Sequence, residues 1–281
     1  MTFSIAVRDG DFFGVAVASK FLAVGSVVPG VRRGVGAVAT QSFARVGYLD
    51  ELLDALEAGQ DPQAALDEAT ARDEGRAQRQ VGVVGLAGAA TYTGDDCFDW
   101  AGGRTGGDGD SCYAVQGNIL TGEPVVAAME EAWLGSAGQP VQRRLVAALL
   151  AGDAAGGDLR GRQSAALVVV GPRGGYDPEA GTVADLRVDD HPDAPRELAR
   201  ISDLWELYFG RPEGVQPLTG ELRDEVAGHL ATLGLTGEVE QALEIWMGGA
   251  NLETRATPEG IDARVLEELR REAATPTGTS D

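Results

Sequence analysis

Lysine is almost missing from this chain. Of its 23 basic residues 22 are arginine, and the single lysine stands at position 20. Histidine occurs only at His191 and His229, far apart in the sequence, so a Ser-His-Asp hydrolase is poorly supplied. Cys97 and Cys112 are the only cysteines; they make no disulfide framework and no zinc-ligand spacing, and free thiols are expected. No stretch approaches ~18 uninterrupted apolar residues, which excludes a membrane-spanning helix. The opening MTFSIAVRDGDFF carries charges where a secretory signal would be apolar, so a cytoplasmic protein is expected. Positive charge is in deficit, with 44 acidic residues and a net charge of −21, and a general nucleic-acid binder is disfavoured. Glycine is plentiful at 40 residues, yet no phosphate loop ending in Gly-Lys-Ser/Thr is present. Both a GC-rich coding bias and a high-salt cytoplasm would give such a composition, and under either the retention of Lys20 is notable.

The 281 residues suffice for one large domain with a smaller companion. Phe3, Ile5 and Val7 alternate with Thr2, Ser4 and Ala6, the period of a strand, and Asp9-Gly10-Asp11 turns the chain into a second strand, FFGVAVAS. VGAVATQS (35–42) is a third. Two helices come next: YLDELLDALEAG, stopped by Gly59, and DPQAALDEATARDEG, with Asp61 as N-cap and Pro62 in the first turn. Short strands are expected at 81–86 and 89–92, then a glycine- and aspartate-rich loop at 93–111 and a strand at 113–118. Helical periodicity returns at 124–134 and 139–152, followed by strands at 164–171 and 183–190 and a helix at 193–208. Helix pairs alternating with groups of strands predict a layered α/β sandwich over residues 1–209. Beyond the linker-like run 210–221 no strand is expected, and residues 210–281 read as a small helical module.

Thr2 carries the chemistry of the first hairpin. Methionine before a small residue is commonly removed, and a Thr2 so exposed would hold a hydroxyl and a free α-amine on one residue. The hydroxyl is a weak nucleophile until a base takes its proton, and an α-amine is a base of suitable strength near neutral pH. A lysine ammonium nearby would favour the developing alkoxide. Two registers are open. A two-residue Asp9-Gly10 turn faces Thr2 to Val17 and turns Lys20 away. A three-residue turn pairs Arg8 with Phe12 and Thr2 with Ala18, making Lys20 their diagonal neighbour. Sorting small residues onto one face and bulky ones onto the other favours the second. Against both stands the plainer reading that Thr is a good strand residue and Lys20 a solvated strand end.

The blocks TFSIAVRD, GVAVASKFLAVGSVVPG, GVGAVATQS, RQVGVVG, TGDDCFDWAGG, YAVQGNILTG and AGGDLRGRQSAALVVV, in order between Thr2 and Tyr208, resemble the family called domain of unknown function 1028. That family resembles the N-terminal nucleophile (Ntn) hydrolases. The resemblance implies an αββα four-layer sandwich whose first-strand Thr, Ser or Cys attacks an amide carbonyl. Thr2 then matches the nucleophile by position, and Lys20 the hydrolase lysine by charge and face. The chain departs from the pattern at Gly103, where a His is expected after Trp-Ala-Gly, so no role for a histidine carries over. Residues 218–270 resemble a peptidoglycan-binding module found attached to some members.

Other candidates are weaker. Gln116 and Asn118 end a strand and are candidate amide donors to an oxyanion, or a turn held by Asn. Thr40 and Gln41 end another strand in the same way. Arg160 and Arg162 precede a strand and could clamp a substrate carboxylate, or simply sit on an exposed loop. Asp95, Asp96, Asp108 and Asp110 depart from calcium-loop spacing, and neither a metal nor a cofactor is expected. The expectation is a hydrolase of a small-molecule amide or peptide-like substrate, without nucleic-acid or membrane partners, with a homodimer an option of the fold class. The alternative is a non-catalytic αββα scaffold that binds a ligand or partner through its cleft or its C-terminal module.

Overall fold

In the computed structural model, which describes residues 2–275, the chain divides into two compact units, one ending at Ser202 and one beginning at Asp203. The first contains two antiparallel sheets. Six strands lie in the order β10 (Thr182–Val188), β9 (Ser164–Val170), β2 (Phe12–Ser19), β1 (Thr2–Asp9), β8 (Ser111–Asn118) and β7 (Gly102–Asp108). Four lie in the order β3 (Pro29–Arg32), β4 (Gly36–Ser42), β5 (Arg79–Gly85) and β6 (Gly88–Thr93). The expected loop at 93–111 therefore contains a strand, β7, whose glycines gave it no strand signature. The four-residue β3 was likewise unexpected.

The two sheets face each other across an apolar layer that includes Ala6, Val15, Val17, Ala37, Ala39 and Val84. Helices α3 (Pro124–Gly135) and α4 (Val141–Ala154) cover the other face of the larger sheet, burying Met129, Trp133, Leu145 and Leu149 against Phe3, Ile5 and Leu167. Helices α1 (Tyr48–Glu57) and α2 (Pro62–Ala71) cover the smaller sheet. Tyr48, Leu52 and Leu56 recur every fourth residue and pack with Leu66 on Val81 and Val83. Asp61 caps α2 as expected, its carboxylate accepting from the amides of Gln63 and Ala64. The layers run helix pair, sheet, sheet, helix pair.

The hairpin register is neither of the two expected. Asp9 pairs with Phe12 and Thr2 with Ser19, around the two-residue turn Gly10-Asp11. Bulky residues stand opposite small ones: Phe3 pairs with Ala18, Ile5 with Ala16 and Val7 with Gly14. The reason is that β1 and β2 are buried on both faces, so volume rather than polarity sets the register. Gly14 shows the constraint, since a Cβ there would stand 2.7 Å from Leu145 Cδ1 on α4.

Helix α5 (Ala194–Phe209) contributes Ala194 and Leu198 to the first unit's core and Leu207 to the second's. The division between the two units falls inside this helix, between Ser202 and Asp203. In the second unit α6 (Gly220–Thr232), α7 (Val239–Gly249) and α8 (Ala263–Ala274) enclose Val226, Leu230, Trp246, Met247, Val265 and Leu269. Among the described residues no helix is long and apolar enough to cross a membrane.

Candidate active site

Thr2 begins a central strand, so it has a partner on each side: Ser19 of β2 and Asn118 of β8. Directly opposed residues point to the same face, and the three side chains form a row there. Thr2 Oγ1 lies 3.0 Å from Ser19 Oγ, and Thr2 is 6 % exposed. Below the row the apolar layer between the sheets gives way to interlocked amides. Gln80 Nε2 donates to the carbonyls of Gly117 (2.8 Å) and Gly102 (3.3 Å) and to Thr93 Oγ1 (2.9 Å). Its oxygen is thereby turned toward Gln41 Nε2 (2.8 Å) and Asn118 Nδ2 (3.0 Å). Gln41 Nε2 also donates to the Thr2 carbonyl, and Gln41 Oε1 accepts from Ser4 Oγ at 2.7 Å.

Above the row opens a cleft of about 530 Å³. Its floor is Thr2, Ser19, Gln41 and Asn118; its walls include Phe21, Phe43, Phe98, Val24, Val28 and Ile119; Arg79 and Arg160 also line it. Three of the chain's seven phenylalanines are here, each about half exposed. No lining side chain is a carboxylate, although the chain has 44. Ser42, the last residue of β4, and Ile119, the residue after β8, both line the cleft and have φ of +68° and +48°. Left-handed backbone is costly for a β-branched residue, and such strain concentrates at ligand-binding positions.

The structure separates the expected site residues. Thr2, Gln41, Asn118 and Arg160 line the cleft. Lys20 does not: it lies just past the end of β2, is exposed, and its Nζ donates to the Arg162 carbonyl at 3.3 Å. The diagonal placement beside Thr2 depended on the Thr2–Ala18 register and falls with it. Gln116 is fully buried between the sheets, its Nε2 on Ser4 Oγ at 2.6 Å. Thr40 is buried outside the cleft lining. Arg162 holds Asp153 with two bonds, Nε to Oδ1 at 2.6 Å and Nη2 to Oδ2 at 3.0 Å, beside a smaller cavity. Asn118 Nδ2 gives an N–H to Gln80 Oε1, and Gln41 Nε2 donates to Gln80 Oε1 and the Thr2 carbonyl, so both amides are anchored in the network. Removal of Met1 concerns a residue outside the described ones. Gly103 of β7 has no room for the expected histidine, since a Cβ would lie 2.8 Å from Thr91 Oγ1 and 2.9 Å from the Val115 carbonyl oxygen.

Sequence reasoning missed Ser19, Gln80 and Arg79. Arg79 is held by Asp73, Nε to Oδ2 at 2.9 Å, and donates to the Phe43 carbonyl. Asp73 also accepts from the Tyr48 hydroxyl (2.8 Å) and the Gly75 amide, and Arg79 foremost holds its carboxyl down at about 2. Burial, helped by the same carboxylate, pushes the Tyr48 hydroxyl well above its usual range. A carboxylate with a folded-state pKa below its unfolded value of about 3.9 contributes stability in full above about pH 5. That contribution is lost as pH falls toward about 2. Denaturant melts of wild type and Asp73→Asn should therefore differ most near neutrality and converge across this acid window. A gap that stays constant between pH 5 and 2 would assign the stability to something other than the Asp73 charge.

A model described as "Family of unknown function (DUF1028)" matches residues 2–198, and the chain belongs to this family. The particular architecture adds a second match, over residues 208–269, to a model described as "Putative peptidoglycan binding domain". A crystal structure of a DUF1028 protein from Silicibacter pomeroyi is similar, with a TM-score of 0.63 and 30 % identity over 80 % of this chain and 92 % of that one. No curated protein matches.

Proposed function

We propose that the first unit is an Ntn-type amidohydrolase of the αββα class, acting on a small amide or peptide-like substrate with Thr2 as nucleophile. The observation that carries this reading is the placement of the Thr2 hydroxyl at the floor of the cleft, at the N-terminal end of a central strand. The helix–sheet–sheet–helix order supports the same reading. In the mature chain the Thr2 α-amine takes the hydroxyl proton as Oγ1 attacks the carbonyl carbon. The proton passes to the leaving nitrogen as the C–N bond breaks, and water then hydrolyses the threonyl ester. Ser19, at 3.0 Å, orients the hydroxyl. A cytoplasmic setting belongs to this proposal, in keeping with two buried free thiols.

Intact mass coupled to an amide-hydrolysis screen tests the mechanism. The expected result is turnover only by chains whose first residue is Thr2. Turnover by a preparation that retains Met1 throughout would remove the α-amine from the mechanism. Lys20 takes no step here, so Lys20→Met should change kcat/KM by no more than about twofold, as for an ordinary surface substitution. A loss of a hundredfold would restore the lysine to the site.

The match over residues 208–269 favours a second reading for the other unit, a binding role toward cell-wall glycan or its peptides. Co-sedimentation of the full chain with purified peptidoglycan tests it: saturable pelleting is expected, and a chain that stays in the supernatant opposes it.

A further inference from the structure

The cleft holds one polar group whose direction is fixed and whose partner is missing. Asn118 is 1 % exposed, and its Oδ1 is buried without a hydrogen-bond partner. The amide cannot simply be turned over. Gln80 Nε2 is committed to two carbonyls and a hydroxyl, so Gln80 presents its oxygen to Asn118, and Asn118 must answer with nitrogen. A buried acceptor left unpaired is costly, and Asn118 is among the residues that line the cleft beside Thr2. It calls for a ligand N–H. The walls call for an apolar group of aromatic size, since Phe21, Phe43 and Phe98 present half-exposed rings there. The charges call for an anion: two arginines and no carboxylate line the cleft of a chain whose net charge is −21. Both arginines are paired within the fold, Arg79 with Asp73 and Arg160 through Nη2 with Asp158 Oδ2 at 3.3 Å, and Arg160 is the more exposed of the two.

We propose that the cleft takes the secondary amide of an apolar carboxylic acid with an amino acid: the acyl group lies against the phenylalanine wall, the amide N–H donates to Asn118 Oδ1, and the free carboxylate faces Arg160. Binding of this class stands apart from the hydrolase reading; only cleavage of the bound amide rests on it. With hydrolysis, the products are the apolar carboxylic acid and the free amino acid, with one water consumed.

Three probes test it: N-phenylacetylglycine, N-phenylacetylglycinamide, which lacks the carboxylate, and N-phenylacetylsarcosine, which lacks the N–H. Binding is measured by calorimetry to the full-length Thr2→Val protein, and turnover with the wild-type chain. The glycine conjugate should bind roughly ten- to a hundredfold more tightly than either of the others, the range for a hydrogen bond to a charged or buried group. Arg160→Met should erase the preference over the glycinamide and leave the preference over the sarcosine conjugate. Asn118→Ala should do the reverse; the sarcosine comparison in unaltered Asn118 stands even if that variant folds poorly. Equal binding of all three probes, or none, overturns the substrate class. Selective binding without wild-type turnover leaves the substrate class standing and removes the hydrolase reading. Turnover of all three at equal rates does the opposite.

Discussion

Thr2→Val abolishes amide hydrolysis, lowering kcat by about a thousandfold or more, the usual consequence of deleting a catalytic nucleophile. Valine keeps the branched shape at a strand position that is almost fully buried, so the fold survives. The cost is the single hydrogen bond to Ser19, about 1 kcal/mol. Thr2→Ser retains hydroxyl and α-amine and should keep measurable activity, while Thr2→Val should not. Ser19→Ala is the control that separates the two hydroxyls, 3.0 Å apart. If Thr2 attacks, Ser19→Ala slows turnover by about tenfold through a less well oriented nucleophile. An active Thr2→Val beside a dead Ser19→Ala would transfer the nucleophile to Ser19, and the α-amine would lose its part. Thermal melts of all three variants within a few degrees of wild type tie the losses to chemistry.

Much of the frame is legible in the sequence because it is written locally. The turn at Asp9–Asp11, the Asp61-Pro62 start of α2 and the leucine spacing of α1 each need only a few adjacent residues. What is not local is less legible. The register of β1 on β2 was misplaced by one residue because both faces are buried, so the size match of Phe3 to Ala18 outweighs any sorting by face. That one residue replaced Ser19 by Lys20 as the expected companion of Thr2. β7 is hidden by its own composition: GGRTGGD has four glycines and gains its strand geometry from β8 alongside. The amide network is the least legible part. Gln41, Gln80 and Asn118 come from β4, β5 and β8, strands of two different sheets, and no sequence spacing announces that they meet.

The second unit depends on one buried arginine, and Arg255→Met should destabilise it by about 3–5 kcal/mol, the range for breaking a buried ion pair by removing one partner. Arg255 is 1 % exposed. Its guanidinium donates to the carbonyls of Leu207 (2.7 Å), Glu206 (2.6 Å) and Arg211 (3.2 Å) and to Asp262 Oδ2 (2.9 Å). It thus ties the end of α5 and the segment after it to the start of α8. Asp262 is equally committed. Its Oδ1 caps α8 through the amides of Arg264 and Val265, and its Oδ2 accepts from the Glu213 amide. Methionine fills the volume yet leaves the Asp262 carboxylate without its cation in a site with no exposure, and the Leu207 and Arg211 carbonyls without this donor, while the Glu206 carbonyl keeps the Gly210 amide. Lysine does no better, since a point charge on a flexible stem cannot serve four acceptors arranged for a planar fork. A small helical unit has a total stability of only several kcal/mol, so the loss is comparable with the whole. Limited proteolysis should then cut Arg255→Met within residues 203–275 under conditions that leave wild type intact. Adding Asp262→Asn to Arg255→Met should recover part of the loss, because the neutral amide oxygen still caps α8 without a stranded charge. A single variant that melts within 1 kcal/mol of wild type would show that water or a rearranged α5 terminus replaces the guanidinium, and the module would then rest on its apolar core alone.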